Sequence, residues 1–135
     1  DIDGKPYLDG GCSCKIPYQW AIDQGFEKIV VIKTRHADYR KNLKKASETS
    51  LAHRIYHTHP EFAHVLEQSD AAYNHQCDEL EQLAKEGRIY LVSPSVPMRI
   101  SRLEKDMEKL GHLYARGYKD AKDQMEQLKA YLGMK

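Results

Sequence analysis

The sequence predicts an α/β fold, with about three mostly parallel strands alternating with helices and a helical extension over about residues 95–135. Two runs carry the prediction. Lys28–Lys33 and Ile89–Val92 are continuously apolar at their centres, as strands covered on both faces of a parallel sheet are, rather than alternating as half-wet strands do. Between them, from Pro60 to Ala84, the apolar positions Phe62, Val65, Leu66, Tyr73, Cys77, Leu80 and Ala84, with Ser69 among them, recur at spacings of three and four. A helical crossover therefore joins the two runs, and parallel pairing follows.

The elements are justified in order along the chain. Lys5 to Asp9 reads as a short strand after an Asp3-Gly4 turn, stopped at Gly10-Gly11, where two glycines permit backbone angles closed to other residues. Ile16-Pro17 opens a short helix with proline in the first turn, Trp20 and Ala21 give it an apolar side, and Gly25 caps it. The strand Lys28–Lys33 completes a βαβ unit. Arg35 to Lys45 turns basic through Arg35, Arg40, Lys41, Lys44 and Lys45 and reads as a surface loop or an irregular helical piece. Ser47 to Tyr56 reads as a short helix. The long helix from Pro60 ends at Gly87, and the strand Ile89–Val92 is closed off by Pro94 and Pro97. Asp106 is the expected N-cap of a helix running to Gly117, and Tyr118, Ala121, Met125, Leu128 and Leu132 mark a second helix before Gly133, making an αα-hairpin. There is no internal repeat or Ser/Gly linker, so residues 1–135 are expected to form part of one domain. Three strands make an incomplete sheet, and further strands are expected upstream.

With 135 residues and a mass of 15.6 kDa the chain has room for one core. No apolar run approaches the roughly 20 residues of a membrane span, and the mean hydropathy is −0.73. Lys+Arg 21 against Asp+Glu 20 leaves a net charge of +1, without the basic excess of a protein built to neutralise nucleic-acid phosphates. Three cysteines are too few, and odd in number, for a disulfide framework, which favours a reducing compartment and a cytoplasmic location. Asp1 is not a start methionine and Asp1-Ile2-Asp3-Gly4 is not a signal peptide, so the chain is expected to begin within a longer protein.

Ligands of open α/β sheets sit at the carboxyl ends of the strands, and Asp9 is expected there, before a loop whose glycines admit another backbone. The alternative is a tight turn in which Asp9 bonds its own backbone amides. The surrounding residues are Tyr7-Leu8-Asp9-Gly10-Gly11, Ile16-Pro17, Ala21-Ile22, Gly25, Lys28-Ile29-Val30-Val31-Ile32 and Thr34-Arg35. Further on come Tyr73-Asn74, Glu86-Gly87, Pro94-Ser95, Ser101-Arg102-Leu103-Glu104-Lys105-Asp106 and Gly117-Tyr118-Lys119-Asp120-Ala121. In order and spacing this resembles the C-terminal portion of bacterial patatin-like phospholipases, from about Tyr7 to about Leu132.

The resemblance implies part of a three-layer α/β/α patatin-like sheet in a lipid acyl hydrolase that uses a serine-aspartate dyad and no cofactor or metal. Asp9 would be the general base, with Gly10 and Gly11 shaping its loop. The partners implied are a lipid or acyl ester substrate and the upstream part of the same protein. No nucleophile is present. Nowhere does G-x-S-x-G occur, and Gly11-Cys12-Ser13-Cys14-Lys15 has Lys15 where the last glycine belongs. The chain alone is therefore expected to be inactive. A serine hydroxyl attacks an ester poorly until a carboxylate accepts its proton, and an ordinary Asp, with a pKa of about 3.9, needs partial desolvation to do so.

Other signals compete. His53, His57, His59 and His64 are dense enough to raise metal binding, but lack the internal glutamate of the familiar zinc motif and read as exposed or capping groups. Cys12 and Cys14 form a weak C-x-C, and Cys77 lies on the apolar stripe. The basic stretch around Tyr39 offers either a peripheral contact for anionic lipid headgroups or a solvated loop. The alternative function is a non-enzymatic interaction domain docking partners through the Tyr118, Met125 and Leu132 face of its C-terminal hairpin. A third is an anion site on the Gly10-Gly11 amides, which Asp9 opposes by repulsion.

Overall fold

The computed structural model describes residues 2–5, 7–43, 46–98, 100–101 and 103–134, with the backbone but not the side chains of 46–50. Of the sequence signals, Lys44, Lys45 and Arg102 lie outside the described residues. The chain runs through a 3-10 turn (Gly10–Cys12), α1 (Tyr18–Asp23), β1 (Val30–Ile32), α2 (Ala46–Ile55), α3 (Pro60–Lys85), β2 (Tyr90–Val92), α4 (Met107–Asp123) and α5 (Met125–Leu132). It is a mixed helix and sheet fold of the α/β kind. Two compact units divide it, Asp1–Trp20 with Arg40–Glu79, and Ala21–Tyr39 with Leu80–Lys135.

The second unit holds the sheet. β1 and β2 pair in parallel, Val30 opposite Tyr90, Val31 opposite Leu91 and Ile32 opposite Val92. The expected crossover is therefore present. The ladder continues at both ends, with Tyr90 N–H donating to Ile29 O at 2.8 Å and Lys33 N–H to Val92 O at 2.8 Å. Ile29, Val31, Leu80 and Ile89 are buried, whereas Val30 is 36% and Ile32 74% exposed. The β-branched run is thus covered on one side only, contrary to its expected double coverage.

Among the described residues the expected third strand, Lys5–Asp9, is not present. Ile2 and Lys5 instead close a small antiparallel bridge with bonds of 2.9 and 3.0 Å, across Asp3 and Gly4 at φ 51° and 74°. Lys5 spends its ladder groups locally, Pro6 has no amide hydrogen to offer a sheet, and Tyr7, Leu8 and Asp9 are exposed without strand pairing.

Tyr131 of α5 secures the start of β1. Its hydroxyl accepts the Ile29 amide at 3.0 Å and lies 3.1 Å from Arg88 O and 3.3 Å from Ile29 O, while its ring lies beneath Lys28 Nζ and 5.6 Å from the Tyr90 ring. Arg88 adds bonds to Phe26 O and Glu27 O at 2.9 and 3.2 Å.

The helical extension differs from the expected hairpin. α4 passes through Gly117 to Asp123, and only Gln124 separates it from α5. An αα-hairpin uses a loop of about 2–5 residues, which one residue cannot supply. Glycine inside a helix costs up to about 1 kcal/mol relative to alanine. The cap supplies an opposing term of similar size, because Asp106 Oδ1 accepts the Glu108 and Lys109 amides at 3.0 and 3.1 Å. Among the described residues no helix is long and apolar enough to cross a membrane.

In the first unit, α3 buries Ala63, Ser69, Tyr73 and Cys77, and Tyr18 is buried as well. The basic loop is held against α3 rather than left to solvent. Lys41 exchanges backbone bonds with the Asn74 amide at 2.8 and 2.9 Å, its Nζ meets Asp70 at 2.7 Å, and Arg40 meets Asp78 at 2.6 Å. Two of its cations are thereby neutralised by acidic residues of the same unit, which weakens the reading as a headgroup contact.

Candidate functional site

Asp9 caps the 3-10 turn, with φ −55° and ψ 127°. Its Oδ1 accepts the Gly11 amide at 2.7 Å, and its carbonyl accepts the Cys12 amide at 2.9 Å. The Gly10 carbonyl takes the Ser13 amide at 3.1 Å, the Cys14 amide at 2.9 Å and the Ser13 hydroxyl at 3.0 Å. The self-bonded turn is therefore the local geometry, and Asp9 does not end a strand as expected. The two glycines differ in importance. A Cβ on Gly11 would stand 3.2 Å from Asp9 Oδ1, whereas one on Gly10 would meet nothing within 4 Å. Glycine at 11 is what lets the carboxylate come down onto its own amide. Asp9 and Gly10 remain exposed. The Gly11 amide, committed to Asp9, is not open to an external anion.

Beside this turn lies a cleft of about 300 Å³, wholly within the first unit. Cys12, Ser13 and Lys15 form one wall, and α3 residues from His64 to Gln76, Ser69 among them, form the other. Ser69 is 9% exposed, and among the described residues no buried polar side-chain atom lacks a hydrogen-bond partner. The Gln76 amide is fixed by bonds to Ile16 O at 3.0 Å and Cys14 Sγ at 3.5 Å. Nearby, Tyr18 donates a short hydrogen bond to Glu79. Burial, reinforced by Glu79, pushes the Tyr18 phenol well above its ordinary value.

The pattern reading placed Ser69 on the apolar stripe and missed the cleft. The one available signal was a serine at a stripe position of α3.

The histidines divide among unrelated tasks. His53 lies 3.2 Å from Glu67, His59 Nδ1 is 2.9 Å from the Thr58 hydroxyl, His57 is exposed and His64 borders the cleft. Among the described residues no group of three His, Cys, Asp or Glu side chains could hold a metal ion. All three cysteines are free, with Cys77 buried, Cys12 half-buried and Cys14 exposed.

Fold and site together define an α/β protein with a carboxylate-capped glycine turn ahead of a parallel strand pair. Residues 59–133, more than half of the chain, match the family described as Domain of unknown function (DUF6363), and the chain belongs to it. No curated protein and no solved structure matches it.

Proposed function

We propose that this chain is the C-terminal portion of a patatin-like lipid acyl hydrolase, in which Asp9 acts on a serine contributed by polypeptide outside it. The observation that carries the reading is that the turn engages only Oδ1 of an exposed Asp9 carboxylate. The Gly11 amide fixes Asp9 Oδ1, glycine at 11 clears the space for it, and Asp9 is exposed, so another side chain can approach. Motif order supports the same reading, since the Asp9-Gly10-Gly11 turn is followed by α1, β1 and Thr34-Arg35 as in the family it resembles.

In the reaction Asp9 accepts the serine proton as the oxygen attacks an acyl ester, the alcohol leaves, and water then releases the acyl group from the serine. An exposed carboxylate is a weak base at neutral pH, so the required desolvation must come from the segment carrying the serine or from the substrate. No cofactor is needed for these steps.

The test is acyl ester hydrolysis by the complete protein with and without Asp9→Asn, which keeps the side-chain shape while removing the base. Loss of about 10²-fold or more in kcat is expected, and unchanged hydrolysis overturns the assignment. A second reading, a non-enzymatic docking domain, is favoured by the exposure of Tyr118 at 65% and the partial exposure of Met125 and Leu132. It predicts no hydrolysis by the complete protein and loss of partner binding in Tyr118→Ala.

A further inference from the structure

Helix α4 carries two apolar arcs, and only one of them is covered. Leu110 and Leu113 are half-buried, and Asp120 beside them accepts the Ser95 amide. The other arc, Met107, Gly111, Tyr114 and Tyr118, recurs at spacings of four, three and four and stays open to solvent, with Met107 77% and Tyr114 76% exposed. Tyr and Met gathered on an open helix face have the composition of an interface core. Gly111 sharpens the point. Glycine is among the poorest helix formers, the φ of Gly111 is not positive, and a Cβ there would meet nothing within 4 Å, so the chain itself gains nothing from the missing side chain. A gap in the middle of an exposed arc serves a close approach from outside.

We propose that what approaches is a second copy of this chain, the two α4 helices packing antiparallel along this arc about a two-fold axis near Ala115. Charge placement selects both the second copy and the antiparallel sense. Glu108, Ala115 and Lys122 are seven apart and line one edge of the arc. Neither Glu108 nor Lys122 makes an ion pair among the described residues, whereas Lys109 and Lys119 pair with Glu104 and Asp123. Antiparallel pairing centred on Ala115 sets Glu108 of each copy against Lys122 of the other, twice over, while parallel pairing would stack like charges. The same centre brings Tyr118 of one copy over Gly111 of the other and Tyr114 over Ala115, so the rings enter the gaps left by small residues. One helix of 17 residues, about 26 Å long, makes a small interface, and the association is therefore concentration-dependent. The surface uses no residue of the Asp9 turn and does not rest on the acyl hydrolase reading.

The experiment is sedimentation velocity of the 135-residue chain over a concentration series. A species of twice 15.6 kDa that grows with concentration is expected. Gly111→Leu fills the gap and should abolish it, while the thermal midpoint stays level or rises because leucine is the better helix former, so the loss cannot come from unfolding. Glu108→Lys and Lys122→Glu each turn both symmetric ion pairs repulsive and should each weaken association about tenfold. An equimolar mixture of these two variants should recover it, since each supplies the charge that the other now lacks, and an antiparallel pair of α4 helices predicts that recovery. A chain that stays monomeric at every concentration overturns the proposal and leaves the arc to a different partner. So does a dimer that survives Gly111→Leu or either reversal, which would run through another surface such as the exposed Val30 and Ile32, and so does a mixture that associates no more tightly than its components.

Discussion

Removing one oxygen from Tyr131 should loosen the sheet at its first residue. The Ile29 amide, in a buried residue, donates to the Tyr131 hydroxyl, and that hydroxyl has a single proton to give, with Arg88 O at 3.1 Å the nearer acceptor. Ile29 O already accepts the Tyr90 amide at 2.8 Å, so it loses little. Tyr131→Phe keeps the ring beneath Lys28 and beside Tyr90, and strands one buried donor and one carbonyl. Leaving a buried donor unpaired costs about 1–3 kcal/mol. Taking about 2 kcal/mol, and an unfolding entropy of about 2.1 cal/mol/K per residue, a chain of this length should melt about 7 °C lower. Hydrogen exchange gives the local reading, and the Ile29 amide should exchange about 30-fold faster. A Tm within about 1 °C of the parent, together with unchanged Ile29 exchange, would refute the role given to this hydroxyl.

Two further outcomes follow from the helical extension. Asp106→Ala should cost about 1 kcal/mol and release the first-turn amides of α4 to exchange, while Asp106→Asn should retain most of the cap; equal protection in both variants would remove the cap from the account. Asp120 Oδ2 accepts the Ser95 amide at 3.0 Å, and this backbone bond, with a Ser95 side-chain bond next, holds its carboxyl below the usual carboxylate range. Because the folded value is depressed, the contact contributes in full above the unfolded value of about 3.9 and is lost as pH falls through the folded one. In an acid titration the Ser95 amide shift should therefore turn over below 3.8, the ordinary value; a midpoint at or above it would contradict the assignment.

How much of this was legible in the sequence depends on whether a signal was local or required a partner. Helix α3 was readable because 26 residues repeat one spacing and Gly87, at φ 71°, ends them. The parallel pairing of β1 and β2 followed from that crossover. Asp106 announced itself as a cap because the bonds of a cap lie within three residues. The Lys5–Asp9 strand failed because its composition suited a sheet edge that the described residues do not offer it, and the bridge from Ile2 to Lys5 is satisfied at shorter range. Gly117 misled because a glycine's penalty is small against the continuity of a capped helix. The cleft beside the Asp9 turn was invisible because periodicity ranks positions by their place on the stripe, and a cleft arises only when a distant loop, here Cys12–Lys15, comes to lie beside one.

The family match itself makes a structural demand that its boundaries do not meet. Residues 59–133 include α3, β2, α4 and α5. Among the described residues, however, the one strand paired with β2 is β1, which ends at Ile32, well before His59. The bonds that bracket the ladder, from Tyr90 to Ile29 and from Lys33 to Val92, also cross that boundary, as does the Tyr131 contact. A segment cut to 59–133 would keep β2 with both edges unpaired and Ile89, now 2% exposed, stripped of its covering strand. Single strands without partners are not stable, and open apolar edges self-associate. The segment 59–133 should therefore aggregate or lose exchange protection at Tyr90–Val92, while a segment beginning at Ala21 retains it. If 59–133 alone proves monomeric with those amides fully protected, β1 is dispensable and the family domain closes without it.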